Sequence, residues 1–525
     1  MWSVCPASLV ESHWQHTFGP RLQCATMRVP LDYDEPGSRE IEVTLIRVRA
    51  RDSPTRQGAL FVNFGGPGVS PLGMLPDLAL LLRLSPSEQD ANIDRQRIPR
   101  EFDLVAVVPR GLPGSAPFTC PQPLPIPAWL DSTVYLADWN WAGFVRDTRT
   151  FAEGCTAEPM HRHMGTYEHI RDMERARIAL GEPRLNFYGV SYGTYVGASY
   201  AATFPTTTGR IVLDSVMDYS GTFESQFARH APARHGLFKR LALERAVANP
   251  AYGLGTDQEA IMRRLTNMPS RLQGPWQAKV DSPARLAATL TLADWARDDM
   301  AGWQTDDWQA LGDRLLTRAG THRFSNDTAI DGEIRAAAIA LASPLRAGPG
   351  ARSDLSAYYA VVCGDTPWRK DIGDLRTMAN TIAATYPTGG GAPVTVGLIC
   401  RHWQSTPRPA ASMASLAQAP AMLMLQAEFD PATPLEGALN AFDVSPGSRL
   451  VAVRGMYGHG VFGMSATPCA EQSVARFLLT GVLPTERFSY CDYVPSPAVR
   501  ARRDEGEERT LHEVREDLRA RLADS

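Results

Sequence analysis

Short runs of hydrophobic residues recur along the chain and predict the strands of a sheet. Residues 40–50 alternate apolar and polar side chains, which is typical of a half-buried antiparallel strand. Other runs are continuously apolar and mostly end in glycine or another turn residue, as strands buried on both faces of a parallel sheet do. These runs cover residues 59–68, 102–111, 184–193, 210–216, 421–430 and 449–460.

Helical patterns lie between several of these strands. Residues 166–181 place apolar side chains near helical spacing before Gly181, and residues 194–205 are rich in small side chains and end at Pro205. Strands that alternate with helices and pair in parallel are typical of an α/β protein. We therefore expect an α/β sandwich built on a mostly parallel central sheet.

The strand pattern stops between residues 216 and 421, where helical patterns such as that of residues 257–268 take its place. We interpret this segment as a mainly helical cap inserted into the sheet domain. The predicted organisation is a first part of the core over residues 1–220, the cap over 221–410, the second part of the core over 411–500 and a charged C-terminal helix over 501–525.

The charged C-terminal helix carries one narrow apolar stripe. Leu511, Val514, Leu518 and Leu522 are three or four residues apart, so they share one helical face. We expect a terminal helix that docks on the core or is partly frayed.

Composition and charge are those of an ordinary globular protein. Of the 525 residues, 44% are hydrophobic and 21% are charged, and the formal net charge is −4 at pH 7. This balance gives no reason to expect nucleic acid or an anionic membrane surface as a partner. No apolar stretch in the sequence approaches the roughly 18 residues that a membrane-spanning helix needs. The sequence sets no oligomeric state.

The eight cysteines fall into four successive pairs along the chain. None forms a CxxC pattern, which argues against a zinc or a redox site. We expect neither a metal nor a cofactor. The even count suits four local disulfides, which persist in an oxidising compartment; eight reduced cysteines in a cytoplasmic enzyme are the alternative. The candidate disulfides are Cys5–Cys24, Cys120–Cys155, Cys363–Cys400 and Cys469–Cys491.

The disulfides predict a secreted or periplasmic protein. The opening residues, MWSVCPASLV, lack the basic and apolar regions of a signal peptide. We expect that a signal was removed ahead of this numbering.

The strand at 184–193 ends in a Gly-x-Ser-x-Gly pattern, with Ser191 between Gly189 and Gly193. A strand, this pattern and then a helix form a nucleophile elbow, in which the positions two before and two after the serine must be nearly free of side chain. A plain tight turn also needs glycine, so the pattern alone does not decide between the two.

A serine nucleophile needs a base and an acid that orients it, in the chain order Ser, Asp or Glu, His. Asp430 and His459 follow the two final apolar runs in that order. Alternatively, Asp430 caps a turn and His459 is a surface loop residue. Their joint placement after successive strands favours a catalytic triad of Ser191, Asp430 and His459.

The glycines of residues 63–68 suggest an oxyanion hole, although a plain turn is the alternative. Gly65 and Gly66 end an early strand where this fold places one backbone donor, and the N–H of Tyr192 would be the second.

With these motifs in place, the chain resembles the α/β-hydrolase peptidases of the prolyl-aminopeptidase clan, in particular the secreted tripeptidyl-aminopeptidase-like branch. The matching stretches span residues 24–462 in the order of that family. They include NFGGPGVS, VVPRGLPGSAPFTC, GVSYGTYVGASYAATFP, IVLDSVMD, VVCGD, LQAEFDPATP and GMYGHGVF.

The resemblance implies the α/β-hydrolase fold, the same triad, an oxyanion turn at Gly65–Gly68, and acyl-enzyme hydrolysis of peptides near a free amino terminus. It also implies acidic cap residues that bind the substrate ammonium, for which the candidates are Glu224, Asp294, Asp298 and Asp365. Two positions depart from the family pattern: Phe64 replaces a proline and Val108 replaces an aspartate.

The departures concern the substrate and leave the triad intact. An esterase or another small-molecule hydrolase on the same triad is therefore the alternative enzyme. A binding protein on an inactive hydrolase scaffold is the non-enzymatic alternative. A peptide or small acyl compound is the expected partner.

Overall fold

The computed structural model describes most of the chain. The described residues are 2–83, 93–126, 131–134, 136–277, 279–300, 307–347, 355–408, 411–465, 467–495 and 511–523.

A sheet of nine strands forms the centre of the described structure, in the order β1-β2-β4-β3-β5-β6-β7-β8-β9. β2 is antiparallel to both of its neighbours, and all other neighbouring strands are parallel. The strands are β1 Leu22–Pro30, β2 Glu40–Val48, β3 Gly58–Asn63, β4 Phe102–Val107, β5 Leu185–Val190, β6 Thr208–Asp214, β7 Leu423–Phe429, β8 Arg449–Tyr457 and β9 Phe488–Asp492.

Helices connect these strands, and a long series of them separates β6 from β7. The helices up to β6 are α1 Ser12–Phe18, α2 Pro71–Arg83, α3 Ile93–Glu101, α4 Asp138–Thr156, α5 Thr166–Ala179 and α6 Tyr192–Thr203. Those between β6 and β7 are α7 Phe223–Ala228, α8 His230–Phe238, α9 Glu244–Ala248, α10 Gln258–Thr266, α11 Ser270–Gln277, α12 Pro283–Met300, α13 Trp308–Thr321, α14 Thr328–Ala342, α15 Ser356–Asp365, α16 Ile372–Thr385 and α17 Ala392–Arg401. The last three are α18 Leu435–Asp443, α19 Pro468–Thr480 and α20 Leu511–Ala523.

Each of the seven predicted strands is present, which confirms the mostly parallel sheet. β1 was not predicted, although it pairs with β2 along nine residues. β1 is an edge strand in which only Leu22, Cys24 and Val29 are buried, so it gives a weak hydrophobic pattern. β9 is a short edge strand in which Cys491 is the buried residue, and it carries still less signal.

The buried apolar residues form two layers, one on each face of the sheet. A third cluster, from Phe238 to Leu345, joins helices α8 to α14 without contributing to the sheet layers. Helices α15 and α17 instead pack on the sheet through residues such as Val362 and Ile399. The helical segment thus has an outer part with its own core and an inner part that covers the sheet.

All four predicted disulfides are present and join neighbouring elements. Cys5–Cys24 ties the N-terminal segment to β1, and Cys120–Cys155 ties the segment after β4 to α4. Cys363–Cys400 joins α15 to α17, and Cys469–Cys491 joins α19 to β9. Among the described helices, none combines the length and the apolar character needed to cross a bilayer.

The C-terminal helix α20 docks on the core, which was the first of the two arrangements expected from its sequence. Val514, Leu518 and Leu522 are buried in the sheet layer that also contains α2 and α19. Arg515 Nε donates to the carbonyl oxygen of Gly463 at 2.8 Å. The Leu511 side chain and residues 501–510 and 524–525 lie outside the described part of the chain.

Candidate active site

Ser191 lies at the sharp turn between β5 and α6. Its backbone has φ 59° and ψ −127°, which few residues other than glycine adopt. A Cβ on Gly193 would lie 2.5 Å from the carbonyl oxygen of Asn63, and one on Gly189 would collide with Gly193 itself. The two glycines therefore let β5, α6 and the end of β3 meet at the serine, as the nucleophile elbow predicts.

Hydrogen bonds hold the elbow in this strained form. The N–H of Ser191 donates to the carbonyl oxygen of Asp214 at 3.0 Å. The Ser191 carbonyl oxygen accepts from the N–H of Thr194 at 2.8 Å and from its hydroxyl at 2.6 Å. Within the described structure the Ser191 hydroxyl has no hydrogen-bond partner, so it is free for a substrate.

Asp430 and His459 meet over the carboxyl ends of β7 and β8. Nδ1 of His459 lies 2.8 Å and 3.0 Å from the two carboxylate oxygens of Asp430. The turn that follows β7 orients the carboxylate, because the N–H groups of Ala432 and Thr433 both donate to its Oδ1 at 2.9 Å. Neither residue is exposed: Asp430 is 2% accessible and His459 is 8% accessible. His459 is therefore not an exposed loop residue, and Asp430 contacts the imidazole as well as its own turn.

The other ring nitrogen of His459 is unoccupied. Nε2 is buried and has no hydrogen-bond partner among the described residues. Burial would lower the pKa of His459, but the charge and hydrogen bond of Asp430, helped by Asp214, outweigh it and raise the pKa above 6.5. Ser191 and His459 are not hydrogen-bonded to each other here, a common state of catalytic pairs without substrate.

Asp214, which the sequence pattern did not single out, links the serine to the histidine loop. It is fully buried at the end of β6. Its carboxylate accepts from the N–H of Val461 at 2.9 Å and from the N–H of Phe462 at 2.8 Å. The next residue, Ser215, accepts from the N–H of Gly460 at 2.8 Å through its hydroxyl. An acid at the end of the apolar run 210–216 is the sequence signal that could have pointed to Asp214.

The oxyanion turn lies directly against the elbow. A Cβ on Gly65 would lie 2.8 Å from Cβ of Ser191 and 3.1 Å from the N–H nitrogen of Tyr192. The Gly65 N–H, however, donates to Oδ1 of Asn63 at 2.9 Å. Gly65 therefore packs closely against the elbow, and its role as an oxyanion donor remains a prediction. The N–H groups of Gly66 and Tyr192 have no acceptor in the described part of the chain.

The two departures from the family pattern are both buried. Phe64 contributes to the apolar layer under the oxyanion turn. Val108 directly follows β4 in the same layer, and its N–H donates to the carbonyl oxygen of Thr44 at 2.9 Å. The neighbouring Arg110 forms a bidentate pair with Asp172 at 2.7 and 2.8 Å. Both departures from the family pattern therefore belong to the buried apolar layer of the sheet domain.

The four acidic candidates for ammonium recognition lie in different places. Asp294 pairs with Arg264 and Arg297 on the outer face of α12, and Asp298 is exposed one turn later. Glu224 accepts from the N–H of Lys370 at 2.9 Å. The sequence alone could not rank these residues because each is an acid in a helical segment.

Asp365 is the fully buried member of this group. It accepts from the N–H and hydroxyl of Thr166, at 3.0 and 2.6 Å, and that hydroxyl also contacts the phenol of Tyr192. Burial raises the pKa of Asp365 to about 7. Asp365 lines a cavity of about 490 Å³ together with Glu168 and Arg408.

A cavity of about 710 Å³ lies next to the oxyanion turn. Its walls come from residues 67–70 of the turn, from Tyr358 on α15, from Thr395 on α17 and from the C-terminal Arg521. Asp131 is the carboxylate among its described lining residues. The cavity thus lies between the sheet domain and the inner helices of the segment between β6 and β7.

The strand order, the elbow and the placement of His459 after β8 define the protein as an α/β hydrolase. A family profile described as "TAP-like protein" matches residues 387–491, which contain both Asp430 and His459. The chain is a serine hydrolase in which residues 387–491 are similar to TAP-like proteins, and the expected resemblance to tripeptidyl-aminopeptidase-like enzymes is confirmed.

Similarity to known proteins extends over most of the chain. It is 28% identical over 481 residues to the tripeptidyl aminopeptidase of Streptomyces lividans, which covers 88% of this chain and 82% of that protein. It is 26% identical over 488 residues to serine protease Hip1 of Mycobacterium tuberculosis, with 88% and 86% covered. Carboxylesterase B of the same organism is 29% identical over 506 residues, with 92% and 88% covered. Among solved structures, proline iminopeptidase from Mycobacterium smegmatis matches with a TM-score of 0.33 and 12% identity, over 86% of this chain and 97% of that one.

Proposed function

We propose that the protein is a serine peptidase that releases short peptides from a free amino terminus, with Ser191, His459 and Asp430 as its triad. The observation that carries the proposal is the buried His459, whose Nδ1 is held by Asp430 while its Nε2 is left for the serine proton. Two relatives with peptidase names that match 88% of the chain support the substrate class.

In the proposed mechanism, Nε2 of His459 takes the proton of the Ser191 hydroxyl as its oxygen attacks the scissile carbonyl carbon. The N–H groups of Gly66 and Tyr192 stabilise the oxyanion that forms. The protonated imidazole then gives its proton to the amine nitrogen as the C–N bond breaks. The amine departs, and the acyl group remains on Ser191 as an ester. Water then attacks this ester with His459 again as the base. This step releases the peptide as its carboxylic acid and restores the Ser191 hydroxyl.

We also propose that residues 221–410 act as a cap that selects short substrates. The cavity beside the oxyanion turn is bounded by the turn itself on one side and by Leu355, Tyr358 and Gly391 of this segment on the other. Enclosure between two parts of the chain favours a short extended peptide over a folded protein.

The test is turnover of tripeptidyl anilides with a free or an acetylated amino terminus. The wild type should cleave the free form and react at Ser191 with a fluorophosphonate probe, and Ser191→Ala should lose both properties. Ser199→Ala, which removes a buried hydroxyl without a described partner on the same helix, is the matched control and should retain both. Equal cleavage of the acetylated peptide would contradict the aminopeptidase proposal.

An esterase is the second candidate, and the similarity to carboxylesterase B supports it. Short-chain acyl esters tested beside the anilides distinguish the two. Turnover of esters with none of any peptide amide would favour the esterase.

We propose that the protein works in an oxidising compartment outside the cytoplasm. The four disulfides support this, because such bonds are rare in the reducing cytoplasm. Peptide mass mapping of the protein from its native source, with free thiols blocked, should recover the four bridged pairs. Eight blocked thiols would contradict the proposal.

A further inference from the structure

The side chain of Tyr192 is fixed along its whole length, directly after the candidate nucleophile. Tyr192 is the first residue of α6, and its backbone N–H is one of the two proposed oxyanion donors. Its buried ring lies 6.2 Å from the ring of Tyr195 and 6.1 Å from the ring of Phe223, measured between centroids. Its phenol is hydrogen-bonded to the hydroxyl of Thr166 on α5. The tip of the side chain is therefore held by a different helix from the one that holds its backbone.

Thr166 is itself held by Asp365, the last residue of α15. The Thr166 N–H donates to Oδ1 of Asp365 at 3.0 Å, and the Thr166 hydroxyl donates to Oδ2 at 2.6 Å. A hydroxyl has one hydrogen and a carboxylate only accepts, so the Tyr192 phenol donates to the Thr166 oxygen. The result is a buried chain of hydrogen bonds with one direction, from Tyr192 through Thr166 to Asp365.

The orientation of the Tyr192 N–H is not set by the hydrogen bonds of the serine. Ser191 uses its own N–H and carbonyl oxygen on Asp214 and Thr194. An oxyanion donor must lie about 2.7 to 3.1 Å from the developing charge, and supporting hydrogen bonds behind the donor are what keep it there. Both oxygens of Asp365 accept from Thr166, so this carboxylate already has such a supporting task.

We propose that Thr166 and Asp365 are positioning residues, which act through the phenol of Tyr192 to hold the Tyr192 N–H in the orientation that stabilises the oxyanion. This role rests on the proposed function, since it needs Ser191 as the nucleophile. It applies equally to an ester and a peptide amide, because both form the same kind of oxyanion. The described lining residues of the two cavities include neither Thr166 nor Tyr192, so loss of the chain should lower kcat and leave KM nearly unchanged.

The first test removes the hydroxyl at which the chain begins. Tyr192→Phe keeps the ring, and we expect kcat for a short-chain ester to fall about tenfold or more with KM within about twofold of wild type. Tyr195→Phe is the matched control, because this tyrosine lies on the same helix and in the same ring cluster, and its hydroxyl has no hydrogen bond in the described structure. Tyr195→Phe should keep the wild-type kcat. Wild-type kcat in Tyr192→Phe would overturn the inference.

The second test breaks the chain in its middle. Thr166→Val replaces the hydroxyl with a methyl group, and kcat should fall by about 10- to 100-fold. Thr166→Ser retains the hydroxyl and should restore most of this loss. A purely structural role predicts a lower melting temperature with unchanged kcat for the folded fraction, and that result would contradict the positioning role.

The third test reports on the oxyanion itself. A short alkyl boronic acid forms a tetrahedral, negatively charged adduct with a nucleophilic serine, so its inhibition constant should rise in Tyr192→Phe and Thr166→Val by about the factor by which kcat falls. An unchanged inhibition constant beside a reduced kcat would overturn the assignment to the oxyanion. The ester and the inhibitor do not require peptidase activity. Wild-type protein that cleaves the ester but no peptide amide would therefore overturn the peptidase proposal alone.

Discussion

Asp214 is a single residue that touches both reactive parts of the candidate site. Its carbonyl oxygen accepts from the N–H of Ser191, and its carboxylate accepts from two N–H groups of the loop that follows His459. Tyr188, on β5 just before the elbow, adds a hydroxyl donor at 2.9 Å. The distance between hydroxyl and imidazole therefore depends on a buried group that is not itself part of the triad.

We predict that Asp214→Asn lowers kcat by about 10- to 100-fold, because an amide accepts fewer N–H bonds and the histidine loop moves relative to Ser191. The measurement is steady-state kinetics on a peptide anilide, with thermal unfolding recorded in parallel. The control is Asn186→Ala, which removes a polar side chain from the opposite end of β5. If kcat is unchanged, Asp214 has no positioning role.

The pH dependence of stability tests the raised pKa of the buried Asp214 carboxyl. Burial raises the pKa of Asp214 from 3.8 to about 6, despite hydrogen bonds from Phe462 and Tyr188. The folded state therefore binds this proton more tightly, so the stabilising contribution is complete below about pH 4 and is lost as the pH rises through about 6. Asp214→Asn lacks this loss, so its melting temperature relative to wild type should be higher at pH 8 than at pH 5. A constant difference would contradict the raised pKa.

We predict that the acidic limb of kcat/KM has its midpoint above pH 6.5. The base must be neutral to take the serine proton, and the Asp430 charge holds the pKa of His459 above its ordinary 6.5 although burial opposes this. Activity is therefore lost as the pH falls through the raised value. Asp430→Asn should reduce kcat by about 10⁴-fold. A midpoint below 6.5 would contradict this account.

Among the elements, those buried on both faces of the sheet were the ones that the sequence could predict. β3, β5 and β7 are continuous apolar runs, and the residues at their ends carry recognisable motifs. β1 and β9 lie at the sheet edges and have few buried positions, so hydrophobicity alone does not reveal them. The hydrogen bonds from Asp214 to the histidine loop could not be predicted from the pattern, because they depend on what the fold places beside β6.

The oxyanion turn and the elbow are adjacent elements, and their contact gives a sharp prediction. Gly65→Ala would place a Cβ 2.6 Å from the carbonyl oxygen of Val190, at a φ of +86°. The turn must then move away from Ser191, so we expect kcat to fall at least about tenfold and stability to fall by about 2 kcal/mol or more. Gly181→Ala is the control, since Gly181 also has a positive φ, +71°, but no atom within 4 Å of the added Cβ. Its stability should fall by about 1 kcal/mol without loss of kcat.

Because α20 docks on the core, its buried face should contribute to the free energy of unfolding, although most of its residues are charged. Leu518 is 1% accessible on the buried face of α20, so Leu518→Ala should reduce the free energy of unfolding by about 2 to 5 kcal/mol. Glu516→Ala removes an exposed side chain of the same helix and should change it by less than about 0.5 kcal/mol. Chemical denaturation measures both. Equal small effects would mean that α20 does not dock in solution.

On the scale of the whole molecule, the candidate site is assembled at the carboxyl ends of five parallel strands. β3 provides the oxyanion turn, β5 the nucleophile, β6 Asp214, β7 the acid and β8 the base. The helical segment between β6 and β7 lies across this edge and supplies the far wall of the cavity. Two bridged helices, α15 and α17, form that wall, so the disulfide between them bears on substrate binding as well as on stability.

The Cys363–Cys400 and Cys469–Cys491 bridges allow these two contributions to be separated. Both close loops of moderate length, 37 and 22 residues, so removal of either pair by double serine substitution should reduce stability by a similar amount, about 2 to 4 kcal/mol. Only the first bridge joins the elements that carry Tyr358 and Thr395 into the cavity.

We therefore expect a higher KM, with kcat less affected, after removal of Cys363–Cys400, and an unchanged KM after removal of Cys469–Cys491, which ties α19 to β9 away from that wall. Kinetics should be measured well below the melting temperature of each variant, so that unfolding does not contribute. The two variants have each lost one disulfide and differ in where that disulfide lies. Equal KM values would therefore mean that Cys363–Cys400 stabilises the fold without shaping the cavity.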